Sequence, residues 1–297
     1  MFAALLATFI WTLSSLTSAK AARYLGGISA NLVRLLFALP ILLIGTVVLN
    51  TAPISILNHP GGTWFIWSGI IGMGICDILM LSAYARLGAR VTSLTVNACA
   101  APLAALFGWL ALSEHPTLAQ GLIMLVIIGS VALVLKPRGQ DRFDALGLWC
   151  ALGSALTFAG ASVMSRIGFI AAAEAHHPIH WLDSTVVRVA TGIALSVGVF
   201  LVAGLFSRSW RDGPGHWRKA SSWLLLNALL GPVMGLCCYQ WALSTTSAAE
   251  VHAVVAILPV LVLAITWIFG YERPDRTALI GTITAVIAVV ALALLRA

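Results

Sequence analysis

One acidic side chain stands deep inside an apolar run of this chain. Asp77 lies about thirteen residues into the run, which is roughly 20 Å along an α-helix. Met80 and Tyr84 share its helix face. An ionisable side chain in hydrocarbon costs about 2.5 to 3.5 kcal/mol on insertion scales, so it needs a partner or a cavity. Asp77 is therefore predicted to bind and release protons or to pair with a cationic ligand. The alternative is a buried acid that hydrogen-bonds to Ser82, Tyr84 or a neighbouring helix.

Aromatic and amide side chains accompany Asp77 in other apolar runs. Asn97 and Gln240 can each hydrogen-bond a ligand, with a facing helix as the alternative partner. His252 can titrate near neutral pH and is, beside Asp77, a second candidate for proton coupling, although an interfacial position is the preferred prediction. It stands two residues from Glu250, hence on a different helix face, so the pair predicts no metal site. The predicted ligand-binding residues are Trp11, Asp77, Tyr84, Asn97, Tyr239 and Trp241.

Two arginines occupy equivalent places in two apolar runs. Arg34 ends the stretch Asn31-Leu32-Val33-Arg34, and Arg188 ends Thr185-Val186-Val187-Arg188. Because both lie near the start of a run and have long stems, their guanidinium groups are predicted to reach the nearer interface. Their symmetric placement also suits two anion-contacting rims of one cavity. Asp183, just before Ser184, is predicted to be the N-cap of the following helix.

Three prolines fall within apolar runs and are candidate hinges. Each removes a backbone donor and frees a carbonyl group, which is tolerated only where protein or cavity water satisfies it. Packing kinks are the alternative. The glycine-rich stretch from Gly69 to Gly74 has no lysine of a phosphate-binding loop and is predicted to serve close helix packing. The hinge candidates are Pro102, Pro232 and Pro259.

Composition excludes a water-soluble protein. Charged residues make up 9% of the 297 residues and apolar residues 60%, whereas an ordinary soluble domain has about 25% charged residues. The formal net charge of +7 comes from short turns between apolar runs, so it indicates a membrane surface and not a nucleic acid. The five cysteines show no zinc or redox spacing and are predicted to be small core residues. No cofactor and no metal are predicted.

Ten apolar segments must position these side chains. A bilayer core of roughly 30 Å needs about 20 apolar residues per helix, and each segment meets that length. Glycines at positions 26, 27 and 88 mark turns between segments. The pair Tyr84-Ala85 returns as Trp241-Ala242, 157 residues later, as part of a longer repeat. Two copies of five segments, residues 1–138 and 139–297, predict an all-α integral membrane protein of ten transmembrane helices, with the second copy inverted. The predicted segments are residues 2–19, 28–49, 64–85, 91–112, 118–135, 145–169, 182–206, 222–243, 248–270 and 277–295.

Several motifs make both copies similar to one known family. They are Ser113-Glu114-His115-Pro116-Thr117, Tyr271-Glu272-Arg273-Pro274, Trp11 in the first segment, and alanines leading to Pro102 and Pro259. In these features the chain resembles the EamA-type domain of the drug/metabolite transporter superfamily. The resemblance implies a secondary transporter in a bacterial inner membrane that exports a small metabolite. It also implies a cavity between segments one, three, four, six, eight and nine.

The expected activity is transport of an amino acid or amphipathic compound by alternating access. Protons and the lipid bilayer are the further expected partners. No ATP-binding motif is present, so an ion gradient, exchange or the substrate's own gradient must drive it. A nucleotide-sugar or phosphate-ester exchanger is the alternative, but it requires basic residues deeper than those predicted here. A membrane-embedded enzyme would need a catalytic set such as His-Glu-x-x-His or Gly-x-Ser-x-Gly, which the sequence does not contain. Glu114 and Glu272 are predicted to be structural or switch residues.

Overall fold

The computed structural model describes residues 2–112, 117–135, 144–206, 217–269 and 276–294, and these residues form helices and no strand. A 3-10 helix covers Pro53–Asn58. Two π-helices, Ile70–Cys76 and Leu229–Gly235, join α2 to α3 and α7 to α8. The α-helices are α1 (Phe2–Val48), α2 (Gly62–Gly69), α3 (Asp77–Leu112), α4 (Leu118–Leu135), α5 (Ala145–Glu174), α6 (Trp181–Phe206), α7 (Trp217–Ala228), α8 (Leu236–Thr245), α9 (Ala248–Val255), α10 (Leu258–Ile268) and α11 (Arg276–Leu294).

Two glycines divide the two longest helices. Gly26 in α1 has a φ angle of 72° and Gly88 in α3 has a φ angle of 77°, a region that glycine adopts far more readily than other residues. In a straight helix Trp11 and Arg34 would be about 34 Å apart along the axis. Both nevertheless line one cavity, so the two parts of α1 fold back on each other. Both breaks coincide with turns that the sequence predicts.

The outside of the helical assembly is apolar. Side chains such as Ile44, Val47 and Ile287 are exposed, which is typical of a surface in contact with lipid. Five helical stretches among the described residues are long and apolar enough to cross a membrane, namely residues 2–48, 62–111, 145–174, 181–205 and 219–245. Leu258–Ile268 and Leu279–Ala288 are apolar but shorter. The fold is therefore that of a helical membrane protein with five clear candidate spans, two of which contain a glycine break.

Small residues bring the helices close together. A Cβ atom on Gly27 would lie 2.7 Å from Ser82 N and 2.8 Å from Ile78 O, so α1 touches the backbone of α3. Gly69 lies in the same way against the backbone of Arg188 in α6. Close approach of this kind stabilises helix pairs in lipid, where apolar burial alone provides little driving force. The glycine-rich stretch therefore serves helix packing, as the sequence predicts.

Candidate functional site

A cavity of about 80 Å³, with a largely apolar wall that includes three charged side chains, lies between the two halves of the chain and has room for several water molecules. Its wall comes from α1, the first π-helix and α3 on one side, and from α5, α6, the second π-helix, α8 and α10 on the other. All six segments expected to surround a cavity contribute to it. The second and seventh segments add one arginine each. The lining residues are Trp11, Ser14, Ser15, Ser18, Arg34, Gly72, Met73, Cys76, Asp77, Met80, Tyr84, Val96, Asn97, Phe158, Arg188, Gly231, Pro232, Leu236 and Leu258.

Four of the six predicted ligand-binding residues line this cavity, namely Trp11, Asp77, Tyr84 and Asn97. The indole N–H of Trp11 donates to the Gly231 carbonyl at 3.4 Å. The Tyr84 hydroxyl lies 3.2 Å from the Ser93 hydroxyl, and the Asn97 amide donates to the Ser93 carbonyl at 2.8 Å. These bonds fix the side chains in position at the wall. Their role in binding stays a prediction.

The other two predicted ligand-binding residues lie away from the cavity. Tyr239 is fully buried behind the wall, with its ring centroid 4.8 Å from that of Trp11. Trp241 faces outward, is 41% exposed and lies against Trp181 at a centroid distance of 6.4 Å. Two residues along a helix correspond to about 200° of rotation, so Tyr239 and Trp241 occupy opposite faces of α8.

Asp77 forms an ion pair with Arg34, and the two side chains are almost completely enclosed. Arg34 also donates through Nε to Asn31 Oδ1 at 3.1 Å and through Nη1 to Asn227 Oδ1 at 3.4 Å. The amide nitrogen of Asn227 in turn lies 2.7 Å from the Ser18 hydroxyl. This network connects both parts of α1 to α3 and α7. Asp77 therefore has a partner on a neighbouring helix, which the alternative prediction of a buried, hydrogen-bonded acid required.

Arg188 is the second guanidinium group at the cavity, and only 1% of its surface is exposed. Its Nη1 donates to Gln240 Oε1 at 2.6 Å, and the Gln240 amide nitrogen lies 3.1 Å from the Ser184 hydroxyl. Arg34 is buried to a similar degree, at 3% exposed. The peripheral placement predicted for both arginines is therefore wrong. The glycine-rich π-helices leave space beside each guanidinium group, so neighbouring helices can enclose it. The position of each arginine near the start of its segment, taken alone, predicts a location near the interface.

The two π-helices define the structural register of the repeat. The first ends at Cys76 and is followed by Asp77, and the second ends at Gly235 and is followed by Leu236. Leu236 lines the cavity, whereas Met234, which the 157-residue offset pairs with Asp77, is 48% exposed. Leu236 is thus the structural counterpart of Asp77. The 157-residue offset instead pairs Asp77 with Met234, so at this point it is wrong by two residues.

His252 is buried close behind the aromatic wall of the cavity. Its Nε2 atom lies 2.7 Å from the Ser162 hydroxyl and 3.4 Å from the Tyr239 hydroxyl, and its ring packs edge-on against Phe158. The interfacial position preferred for His252 is therefore wrong, because α5 and α8 cover the start of α9. Glu250 instead belongs to a helix cap, in which Ser247 Oγ accepts from the Glu250 backbone N–H at 3.3 Å.

The remaining sequence predictions concern helix ends and hinges. Asp183 lies in the first turn of α6, which begins at Trp181, so its predicted N-cap position is wrong by two to three residues. Pro232 lies in the second π-helix and lines the cavity, Pro259 begins α10 after a break in the helix, and Pro102 lies within α3. A hinge role for these prolines stays a prediction. Glu114 and Glu272 lie outside the described residues.

Sequence reasoning missed several cavity residues. Ser14, Ser15 and Ser18 form a hydroxyl-rich face of α1, and Asn227 completes the network around Arg34. Serines four residues apart within an apolar segment share a helix face and were the available signal. Phe158 packs edge-on against Trp11 at a centroid distance of 6.0 Å, and both rings line the cavity.

Apolar outer faces around a cavity that Arg34, Asp77 and Arg188 line place this fold in the class of polytopic membrane proteins. The model of the EamA-like transporter family matches residues 1–136 and 145–294, and the chain belongs to this family. Among solved structures, one described as "Crystal structure of protein" aligns with a TM-score of 0.65 and 21% identity, over 99% of this chain and 97% of that chain. At this identity the likeness shows the fold alone. No curated protein matches the sequence.

Proposed function

We propose that the protein is a secondary-active exporter of a small metabolite, such as an amino acid or an amphipathic compound. The observation that carries the proposal is a single cavity whose wall mixes aromatic, hydroxyl and charged side chains drawn from both repeats. A small-molecule site typically combines apolar area with a few fixed polar groups. Membership in a transporter family supports the same conclusion. A bacterial inner membrane is the location we propose.

Ten spans in two inverted repeats are part of this proposal. Residues 2–48 and 62–111 each contain a glycine break and have the length for two crossings, which adds two to the five candidate spans. The helices α4, the pair α9 and α10, and α11 provide the other three. In inverted-repeat transporters the substrate site lies where the repeats meet, and rocking one repeat against the other exposes it to each side in turn. The position of the cavity agrees with this arrangement.

A phosphate-ester or nucleotide-sugar exchanger is the second candidate function. The burial of Arg34 and Arg188 at the cavity favours it more than the sequence does. However, Asp77 already neutralises Arg34. Among the described residues that line the cavity, Arg188 then provides the one positive charge that is not neutralised, whereas a phosphate monoester carries nearly two negative charges at neutral pH. An amino acid or a singly charged amphipathic compound is the better match.

The test is transport by the purified full-length protein in proteoliposomes. A panel of labelled amino acids, aromatic acids, amines and phosphate esters is measured by counterflow, with and without a proton gradient. We expect counterflow of at least one amino acid or amphipathic compound and none of the phosphate esters. Counterflow of phosphate esters alone would favour the second candidate. No counterflow of any compound by folded protein would contradict transport of this substrate class.

A further inference from the structure

The guanidinium group of Arg188 is buried at the cavity without a carboxylate partner. The described residues form two ion pairs, Arg34–Asp77 and Arg86–Asp144, and neither includes Arg188. Within the same residues its Nε atom has no hydrogen-bond partner, and Nη1 donates to the neutral amide of Gln240. Asp77 lies near enough to interact electrostatically with Arg188, but its carboxylate is already paired with Arg34. A buried charge that has no ion pair of its own and unfilled hydrogen-bond donors is costly. The arrangement is therefore complete only with an additional acceptor group.

A comparison of the surroundings of Arg34 and Arg188 in the two repeats indicates the position of the additional acceptor group. Each arginine lies against a glycine of the opposite repeat's π-helix. A Cβ atom on Gly231 would lie 3.5 Å from Arg34 Nη1, and one on Gly72 would lie 2.8 Å from Arg188 Nη2. Arg34 receives a carboxylate from the residue that follows its own repeat's π-helix.

In the second repeat, the residue that follows the π-helix is Leu236, and it lines the same cavity as Arg188. The second repeat therefore has the cation and the glycine but not the acid. Leu236 presents an apolar side chain at the place where the first repeat presents a carboxylate.

We infer that Arg188 binds a carboxylate of the transported molecule, which fills in the second repeat the part that Asp77 fills in the first. This inference rests on the proposed transport function. A guanidinium group can form two parallel hydrogen bonds to a carboxylate; in Arg188, Nη1 donates to Gln240, whereas Nε has no acceptor among the described residues. The apolar part of the molecule packs against Trp11, Phe158 and Leu258.

Matched ligands test the inference directly. The probes are 3-phenylpropionate, its uncharged amide 3-phenylpropionamide, phenethylamine and phenyl phosphate. Binding to full-length protein in detergent is followed by intrinsic tryptophan fluorescence and by thermal shift. We expect 3-phenylpropionate to bind at least tenfold more tightly than the amide, the amine and the phosphate. Equal binding of acid and amide, no binding of the acid, or tighter binding of the amine or phosphate would overturn the inference.

A substitution that supplies the missing acid provides the sharper test. Leu236→Asp adds a carboxylate to the cavity that Arg188 lines, at the position equivalent to Asp77, so we expect the preference for acid over amide to fall by tenfold or more while the fold is retained. Leu236→Asn adds polarity without charge and keeps a preference for the acid, and Arg188→Gln removes it. Arg86→Gln, at an exposed ion pair that is not part of the cavity lining, controls for general loss of positive charge. A preference unchanged in Leu236→Asp and Arg188→Gln would overturn the inference.

Counterflow of the same compounds separates this inference from the proposed function. Transport of the amide and amine without a preference for the acid would leave transport standing and contradict the role of Arg188. Tight, Arg188-dependent binding of the acid without any counterflow would support the anion site and contradict transport of this substrate class.

Discussion

Asp77→Asn replaces one carboxylate oxygen by an amide nitrogen. This small chemical change should nevertheless destabilise the folded protein severely. Asp77 and Arg34 form an ion pair whose side chains are 7% and 4% exposed. Removing one partner of a buried pair costs about 3–5 kcal/mol, because the other charge stays buried. The asparagine oxygen can still accept one hydrogen bond, which contributes about 1 kcal/mol. The expected loss is therefore at the lower end, about 3 kcal/mol, or roughly 5 °C in melting temperature for a chain of 297 residues.

The assay is thermal unfolding of purified full-length protein in detergent, with a double-mutant cycle. Arg34→Gln together with Asp77→Asn removes both charges, so the double variant should be more stable than the sum of the single losses predicts. Asp144→Asn is the matched control. Asp144 forms an exposed ion pair with Arg86 and caps α5, and asparagine caps a helix equally well. The Gly147 N–H, with help from Arg86, lowers the pKa of Asp144 and keeps it charged at neutral pH.

Equal melting temperatures of Asp77→Asn and Asp144→Asn would contradict a stabilising buried ion pair, and so would stability losses of Asp77→Asn and Arg34→Gln that simply add in the double variant. A functional measurement on the same variant addresses proton coupling. If Asp77 carries the coupled proton, Asp77→Asn abolishes accumulation driven by a proton gradient and retains downhill exchange. Uptake with an unchanged dependence on pH would assign Asp77 to the structural ion pair alone.

Three further predictions follow from the packing, the cavity and the charge distribution. Gly27→Ala should abolish or strongly reduce folded yield, because its Cβ atom would meet backbone atoms of α3. Gly121→Ala is the control: no atom of the described residues lies within 4 Å of its Cβ position, so the yield should stay unchanged. Equal yields of the two variants would refute the backbone contact. In a cysteine-free background, Trp11→Cys and Asn97→Cys should react with small aqueous thiol reagents and be protected by substrate. Trp241→Cys, at a position that faces outward, should not. The reverse pattern would refute the cavity assignment. Both termini should lie outside the cytoplasm, because with ten spans thirteen basic residues fall on one side and two on the other. A C-terminal reporter that is active only in the cytoplasm should stay inactive, and strong activity would overturn the orientation or the span count. The residues on the basic side are Lys20, Arg23, Arg86, Arg90, Lys136, Arg138, Arg142, Arg208, Arg211, Arg218, Lys219, Arg273 and Arg276, and those on the other side are Arg166 and Arg296.

Properties that depend on neighbours in the chain were readable from the sequence. The scarcity of charge and the apolar segments require a helical membrane protein, because only helices satisfy the backbone within a single segment in lipid. Gly26 and Gly88 stand where the helices break, because the φ angles there favour glycine. The spacing of Asp77 and Tyr84 by seven residues, two helical turns, puts both on one face, and both line the cavity.

Enclosure, in contrast, was decided by the tertiary structure. Arg34 and Arg188 lie near segment ends in the sequence, but helices from the opposite repeat, with glycine at the contact, surround them. The register of the second repeat changed for a related reason. The ends of the two π-helices pair Asp77 with Leu236, and it is Leu236 and not Met234 that lines the cavity. Periodicity along one helix specifies which residues share a face, but only packing against other helices decides which face is enclosed and which contacts lipid.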